Sequence, residues 1–578
     1  MGRDPVGSRT PRARKERLVT LQTTEPDVAL RVDPVTVEVI RNAFDSIAAQ
    51  MNNNLARSAY TPIIYEMKDC SVGLFNADGH LLGQAPGLPI FLGALDAAIA
   101  VTTEHIGGPE NYREGDVFAI NDSYLVGSHL NDLSIFSPIF YEGRLIGFGA
   151  TKAHWLDIGA KDAGQAMDST NIYQEGYRLG PTYLYRAGVR DDQTIDFLMR
   201  NSRLPRSIWG DMHAQVAACH TGEKMLQRLY DRFGGETVEA ASEQVFEQCE
   251  RLDRETVSAI PDGVYSAEAS LDSWGPNGQP VPVKVTVTVS GGEILLDLSG
   301  SSPQTPGSMN CGYAQTVSAA RLAYKFLINP ETPVTAGTFR NMTVKTEPRT
   351  VFDAREPAAC QFYYPHLGMM IDLFIKALAP ALPDMVNAGQ TADSMNILFA
   401  GTDNSGEPFF CGEATGVGWG ALSDRDGANG QINYGGGDLK NYPIEVIESR
   451  YPIRITGYGL QADSGGEGTH RGGLGIWRSY ETLAESTTVS LWFERSKLPA
   501  WGLFGGSSGQ PTDVVVDRGD GEEHILKVNA LPLPKGSRVR IQTGGGGGYG
   551  DPTLRDAKAI EEDLIDGYTT APSLAPQS

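Results

Sequence analysis

The residues most able to do chemistry lie in one stretch, residues 121–159, where the tetrad His-x-x-Asp occurs twice. The copies are His129/Asp132 and His154/Asp157. Imidazole nitrogens and carboxylate oxygens are ligands of Zn, Mn and Fe(II), and two histidines with one carboxylate form a recurrent open metal site. Taken alone, such a tetrad is more often a hydrogen-bonded polar cluster than a metal site, so the element that joins the two tetrads decides between these interpretations.

That element is predicted to be a β-hairpin. Two apolar runs, 133–140 and 145–150, are separated by a turn at Glu142-Gly143, which is the pattern of two strands joined by a Gly-bearing turn. A hairpin places its two ends side by side. The sequence therefore predicts that both tetrads meet, gathering two imidazoles and two carboxylates at one point.

Composition limits the classes of protein to which the chain can belong. With 578 residues, 40% of them hydrophobic and 21% charged, it has the make-up of a soluble globular protein of two to four domains. The net charge of −23 disfavours nucleic acid and anionic membranes as partners, because both are polyanions. No apolar run is long enough to predict a membrane span.

The cysteines and the N-terminus bear on the compartment. Six cysteines are scattered without a C-x-x-C spacing, which predicts reduced thiols and a cytoplasmic protein. Residues 1–30 are basic and proline-rich and lack the apolar segment of a secretory signal. They are predicted to be a disordered arm.

Periodicity predicts a mixed α/β (α+β) fold. Apolar residues three to four apart after Pro34 indicate an amphipathic helix, and a second long helix is predicted to begin at Asp211. Alternation of apolar and polar residues over 264–298 is typical of an antiparallel sheet. The prediction is a helix-and-sheet N-terminal half that carries the metal site and a β-rich C-terminal half with Gly turns. The domains are predicted as follows: 31–260, an α+β metal-site domain; 261–400, mixed sheet and helix; 401–578, β-rich.

The glycine clusters do not predict a nucleotide site. A P-loop requires G-x-x-x-x-G-K-[ST], and a dinucleotide site requires G-x-G-x-x-G between a strand and a helix; neither pattern occurs. The sequence also lacks the G-x-S-x-G pattern of a serine hydrolase. The chain is therefore not expected to bind ATP by itself.

Several blocks resemble the hydantoinase B/oxoprolinase family. The segment NDSYLVGSHLNDLSIFSPIF resembles the family signature N-D-x-Y-x-G-G-x-H-x-x-D-x-x-x-x-x-P-x-F, with Val126-Gly127 where Gly-Gly is usual. Asp69 and Ser71 match a second block, and SGGEGTHRGGLG and GGGGYGDP match later ones. The resemblance covers about residues 35 to 566. Phe91 departs from it, standing where many members carry His.

The resemblance implies roles for particular residues. In the related acetone carboxylases the matching residues hold a divalent metal, which implies His129, Asp132 and His154 as ligands of Zn, Mn or Fe here. Asp157 also matches a family position and is expected to be a fourth ligand or the acceptor that orients an imidazole. Asp69 and Asp211 are candidate general acids or bases, and capping of its helix is an equally good role for Asp211.

The resemblance also implies an activity and a partner. Members are B-type subunits of ATP-dependent cyclic amide hydrolases, which open lactam, hydantoin or oxoproline rings. The implied partner is an A-type ATPase subunit that binds ATP and Mg and phosphorylates the substrate, in a hetero-tetramer or larger assembly. Three alternatives stay open: a ketone carboxylase of the acetone or acetophenone type that uses bicarbonate, a non-catalytic scaffold for the ATPase subunit, and a stand-alone metallohydrolase.

Overall fold

The computed structural model describes residues 31–570, so the arm predicted for residues 1–30 lies outside the described residues. Helices and strands alternate through the first two thirds of that range, and strands dominate the last third. The helices are α1 (Pro34–Ser58), α2 (Pro62–Tyr65), α3 (Pro89–Leu92), α4 (Leu95–Ile106), α5 (Ser123–Val126), α6 (Asp192–Arg200), α7 (Pro205–Phe233), α8 (Gly235–Ser258), α9 (Tyr313–Leu327), α10 (Tyr364–Leu378), α11 (Ile444–Arg450) and α12 (Ala557–Ile565).

The strands form four sheets within the described range. In chain order they are β1 (Cys70–Asn76), β2 (Leu81–Gln84), β3 (Val117–Ile120), β4 (Asp132–Tyr141), β5 (Arg144–His154), β6 (Thr182–Arg186), β7 (Val189–Arg190), β8 (Gly263–Leu271), β9 (Val281–Ser290), β10 (Glu293–Asp297), β11 (Met342–Lys345), β12 (Asn396–Thr402), β13 (Pro408–Glu413), β14 (Ile453–Leu460), β15 (Ile476–Thr482), β16 (Ser486–Trp492), β17 (Asp513–Asp517), β18 (Glu522–His524), β19 (Lys527–Leu533) and β20 (Arg538–Gln542). The sheet orders are β2-β1-β5-β4-β3-β6-β7, β11-β10-β9-β8, β13-β12-β16-β19 and β14-β15-β20-β17-β18.

The seven-stranded sheet positions the two tetrads. Its centre is the predicted hairpin, β4 and β5, paired antiparallel from Asp132 opposite His154 down to Tyr141 opposite Arg144. The first residue of β4 therefore faces the last residue of β5 across the ladder. Residues directly opposite in an antiparallel pair bring their side chains to the same face of the sheet, so the register alone places this carboxylate beside this imidazole.

Helices α1 and α7 cover this sheet. Helix α1 begins where the sequence predicts, with Pro34 at its first position and the Asp33 carboxylate accepting from the backbone N–H groups of Val35 and Thr36. Its apolar side packs on α7 and on β1 and β2. Helix α7 begins at Pro205 rather than at Asp211. Proline is favoured at the first helical position because its missing N–H has no intrahelical partner there.

The mixed α/β class is confirmed by this arrangement. β8, β9 and β10 form the predicted antiparallel sheet, to which β11 adds one parallel edge. Beyond residue 401 strands predominate, in two antiparallel sheets. One hydrophobic cluster joins side chains of α1 and β1 to side chains of β12, β16 and β20. The domain boundaries near 260 and 400 remain predictions.

The glycine run Gly544–Gly548 serves close packing of backbone against backbone. A Cβ atom at Gly545, Gly546, Gly547 or Gly548 would lie 1.9–2.0 Å from the carbonyl oxygen of another segment. That distance is shorter than any real contact. The run is therefore a seam between crossing loops that only glycine can form.

One segment, Pro89–Ile106, is apolar enough to be compared with a membrane span, at a mean hydropathy of 1.2. In the structure it is two helices, α3 and α4, which are separated at Gly93-Ala94. Helix α3 packs on α9 and β1, and α4 packs on β4 and β5. The apolar character of this segment is thus accounted for by the protein core.

Candidate metal centre

The hairpin brings three of the predicted ligands together. The Nε2 atom of His129 lies 2.8 Å from Oδ1 of Asp132, and Nδ1 of His154 lies 3.1 Å from the same oxygen. The two imidazole nitrogens are 3.2 Å apart. All three side chains are buried, and they form a group whose ligand atoms lie within 4.8 Å of one another.

Both imidazole nitrogens face the same Asp132 oxygen. Two N–H groups donating to that oxygen, or a cation bound between the three atoms, would each account for this triangle. Metal bonds of about 2.1 Å place neighbouring ligand atoms about 3.0–3.4 Å apart, from octahedral to tetrahedral coordination, which is close to the observed separations of 2.8, 3.1 and 3.2 Å. Two imidazoles and one carboxylate thus fit a divalent cation by donor type and by spacing.

The charge state of Asp132 agrees with this fit. Burial by itself would raise its pKa, but the His129 and His154 rings beside it outweigh burial and hold the pKa well below its usual value. Its second oxygen, Oδ2, is buried without a hydrogen-bond partner. Asp132 therefore offers a carboxylate at neutral pH, with one oxygen left for a further interaction.

Asp157 is not brought to the cluster. Its carboxylate accepts from the Arg203 backbone N–H at 2.5 Å and from the Arg203 guanidinium at 2.7 Å, and Ser202 Oγ lies 3.2 Å from the same group. The expected roles, a fourth ligand or an acceptor for an imidazole, do not match these contacts. Because the residue lies beyond the end of β5, the strand register that aligns Asp132 with His154 does not extend to it.

Asp69 does lie beside the cluster. Its backbone oxygen accepts from the backbone N–H of His154 at 3.1 Å, and Asp69 lines the same cavity as the two imidazoles. Burial raises the pKa of Asp69 to about 7, although His154 opposes the shift. One carboxyl oxygen, Oδ1, is buried and has no partner. A carboxyl group with such a pKa can exchange a proton near neutral pH.

Asp211 lies away from the cluster, and both of its carboxylate oxygens accept hydrogen bonds. It accepts from the backbone N–H groups of Tyr60 and Thr61 and from the Thr61 hydroxyl, at 2.6–3.1 Å. Burial raises its pKa to about 6. The residue stands inside α7, so the predicted capping of that helix is wrong; instead it binds the chain just before α2 and does not line the metal-site cavity.

Two residues that the sequence did not indicate support the cluster. Nε2 of the Gln361 amide lies 2.8 Å from His129 Nδ1 and 3.3 Å from Asn131 Oδ1. The reversed amide, with its oxygen at Nδ1, would keep a proton there and leave the Nε2 lone pair of His129 for a cation. Glu175 is buried and accepts from the backbone N–H groups of Cys360 and Gln361. It thereby fixes the segment that carries the amide. No local pattern marks either residue, because both act across long sequence separations.

The chain matches one known protein family over most of its length. A family model described as hydantoinase B/oxoprolinase matches residues 33–552, most of its length. The chain belongs to the hydantoinase B/oxoprolinase family. The predicted resemblance is thereby confirmed.

Relatives within the family match nearly end to end. The B-type subunit of a putative D-/L-hydantoinase from Pseudomonas sp. (strain NS671) is 30% identical over 558 residues, covering 93% of this chain and 94% of the relative. The beta-type subunit of the caprolactamase of Pseudomonas jessenii is 31% identical over 558 residues, with the same two coverages.

Solved structures agree with the fold. The ATP-dependent caprolactamase from Pseudomonas jessenii superposes with a TM-score of 0.87 at 28% identity, covering 94% of this chain and 95% of that one. A nucleotide-free acetone carboxylase shares the fold, with a TM-score of 0.85 at 19% identity over 93% of this chain and 78% of that one.

In this member of the hydantoinase B/oxoprolinase family a cavity of about 110 Å³ adjoins the cluster. His129 and His154 form part of its wall, together with Asp69. Phe91 also lines it. The predicted departure from the family signature at Phe91 therefore lies on the wall of this cavity.

Proposed function

We propose that this chain is the B-type member of a two-subunit, ATP-dependent cyclic amide hydrolase and that it binds one divalent metal. His129, Asp132 and His154 would hold the metal, which is Zn, Mn or Fe(II) by the chemistry of the donors. The observation that carries the proposal is the convergence of three buried ligand atoms within 4.8 Å beside a cavity whose wall includes His129 and His154.

The metal and the side chains around it would have different roles in the reaction. When bound, such a metal polarises an oxygen of the substrate and increases the acidity of water. Asp69 is placed to exchange a proton between water and nitrogen, because it lines the same cavity as the two imidazoles and its Oδ1 is buried without a hydrogen-bond partner. In the ring opening, water adds at the acyl carbon of the phosphorylated ring, the C–N bond breaks, and the ring nitrogen takes up a proton and leaves as an amine. A second water then releases the phosphoryl group as inorganic phosphate and leaves a carboxylate.

The ATP-dependent step would belong to a partner. The hydantoinase and caprolactamase relatives are themselves named as single subunits of larger enzymes, and the sequence of this chain has no phosphate-binding loop. We infer an A-type ATPase subunit that binds ATP and Mg and phosphorylates the cyclic amide before its hydrolysis here, in a hetero-tetramer or larger complex. The six free cysteines support a reducing, cytoplasmic setting.

The experiment is metal analysis and ring-opening assay of the complex, with two histidine variants. The complex should contain about one metal ion per chain, and His154→Ala should lose both the metal and ring opening while still assembling. His220→Ala changes an exposed histidine of α7 and should retain both.

Other outcomes would favour the alternatives. Unchanged turnover of an assembled His154→Ala complex would indicate a non-catalytic scaffold. Carboxylation of acetone or acetophenone with bicarbonate, without opening of hydantoin, oxoproline or caprolactam, would indicate a ketone carboxylase. Ring opening without partner or ATP would indicate a stand-alone metallohydrolase.

A further inference from the structure

We propose that the phenolic hydroxyl of Tyr363 is a further catalytic group of this site, which donates a hydrogen bond to the oxygens of the substrate's acyl carbon as negative charge develops on them. The inference rests on the proposed function and adds a residue to its reaction. It follows from three properties of this side chain: its unpaired hydroxyl, its position beside the cluster and the firm attachment of its backbone.

The unpaired hydroxyl is the first property. Tyr363 is buried and lines the cavity beside the cluster. Within residues 31–570 its Oη atom makes no hydrogen bond to the protein, yet Oη is not one of the fully enclosed polar atoms that lack a partner. The hydroxyl therefore opens onto the cavity, where it is available to a bound molecule.

The neighbouring tyrosine shows the contrast. Tyr364 lines the same cavity, but its hydroxyl oxygen accepts from the backbone N–H of Gly435 at 3.0 Å. The Tyr364 hydroxyl thus holds two segments of the cavity wall together. Tyr363, one residue earlier, keeps its donor free.

The position beside the cluster is the second property. The ring of Tyr363 packs against the His129 imidazole, and the two ring centroids are 5.2 Å apart. Burial raises the pKa of the Tyr363 phenol well above its usual value, and the nearby carboxylates of Asp132 and Asp69 raise it further. The hydroxyl therefore lies close both to the proposed metal ligands and to the carboxyl group that exchanges protons.

The firm attachment of the backbone is the third property. The buried Glu175 carboxylate accepts from the backbone N–H groups of residues 360 and 361, and the N–H of Phe362 donates to the Ser308 carbonyl at 3.0 Å. Tyr363 follows directly and caps the start of α10. A donor held in this way needs little reorientation during a reaction, and such donors stabilise developing charge most effectively.

The proposed reaction produces charge that this donor would meet. The acyl carbon of the ring ends as a carboxylate, so negative charge grows on its oxygens. A phenol, with a usual pKa of about 10, keeps its proton at neutral pH. Tyr363 would therefore add a hydrogen bond to the polarisation that a bound metal supplies, without giving up its proton.

The test removes one oxygen atom. Tyr363→Phe keeps the ring against His129, and because the hydroxyl has no partner within residues 31–570, metal content and the midpoint of urea unfolding should not change. The assay uses the metal-loaded complex with its ATPase partner and whichever of hydantoin, 5-oxoproline and caprolactam the wild type opens fastest. We expect kcat to fall at least about tenfold and KM to change less than about threefold.

A second tyrosine provides the matched control. Tyr112→Phe removes a phenolic hydroxyl outside this cavity, 2.9 Å from Oγ1 of Thr103, and it should lower the midpoint of urea unfolding while kcat is retained. If Tyr363→Phe keeps the kcat of the wild type, or loses its metal, the inference is overturned and the ring opening by the wild type leaves the proposed function standing. If the metal-loaded wild type opens none of the three rings, the proposed function is overturned together with the inference.

Discussion

The two His-x-x-Asp tetrads have the same spacing, yet they are used differently. The first supplies both His129 and Asp132 to the cluster, whereas the second supplies only His154. Asp157, the remaining member, binds Arg203 instead. Identical motifs therefore acquired different roles, one in the site and one in the scaffold that surrounds it.

The strand register explains the difference. Asp132 is the first residue of β4 and lies opposite His154, the last residue of β5. His129 turns back towards Asp132, whose N–H donates to the His129 carbonyl at 3.2 Å. The chain after His154 leaves the sheet, so a carboxylate three residues later meets the loop before α7 rather than the imidazoles. Position relative to a strand end, rather than spacing in the motif, determines which carboxylate can be a ligand.

The largest difference in metal affinity should appear when each of the two carboxylates is replaced by an amide in a separate variant. Asp132→Asn removes an anionic ligand, and we expect metal affinity to fall about 100-fold or more. Asp157→Asn should leave metal affinity unchanged and reduce the free energy of unfolding by about 1–3 kcal/mol, because it weakens a buried set of hydrogen bonds. Metal titration and urea unfolding measure the two effects. Equal loss of metal in both variants would contradict the assignment.

A smaller effect is expected at the amide that contacts His129. Gln361→Leu removes the amide beside Nδ1 of His129 and should weaken metal binding about 10- to 100-fold. Gln361→Glu places an oxygen there that can accept the Nδ1 proton and should stay within a few-fold of wild type. Competition with a chelator measures both. If the two variants lose affinity equally, Gln361 fills space rather than orienting the imidazole.

Substitution of Asp211 is expected to leave metal affinity unchanged, because its carboxylate, like that of Asp157, is hydrogen-bonded to residues outside the cluster. Its pKa is raised to about 6 from 3.8, so the folded state binds this proton more tightly than the unfolded state. The stabilisation it gives is complete below about pH 4 and is lost as pH rises through about 6. Asp211→Asn should therefore gain stability relative to wild type over that interval, by on the order of 2–3 kcal/mol. A pH-independent difference in urea unfolding would argue against it.

Local patterns predicted much of this molecule. The hairpin, helix α1 and the alternating strands β8 to β10 follow from periodicity and turn residues, since those signals act within a few residues. The contacts of Gln361 with His129 and of Arg203 with Asp157 could not be foreseen, because they join segments that only the complete fold brings together. The start of α7 at Pro205 did have a local signal, the preference of proline for the first helical turn.

The glycine seam Gly544–Gly548 has a consequence for anyone who alters this protein. A single methyl group added at residues 545–548 would overlap a carbonyl oxygen of another loop. Because the backbones are in direct contact there, no side chain can rotate to relieve the overlap, and the packed loops would have to move apart. Variant libraries aimed at the cavity should leave this run unchanged. If the run is randomised as well, substitutions in it should be missing from the clones that still fold, which provides an internal check on the selection.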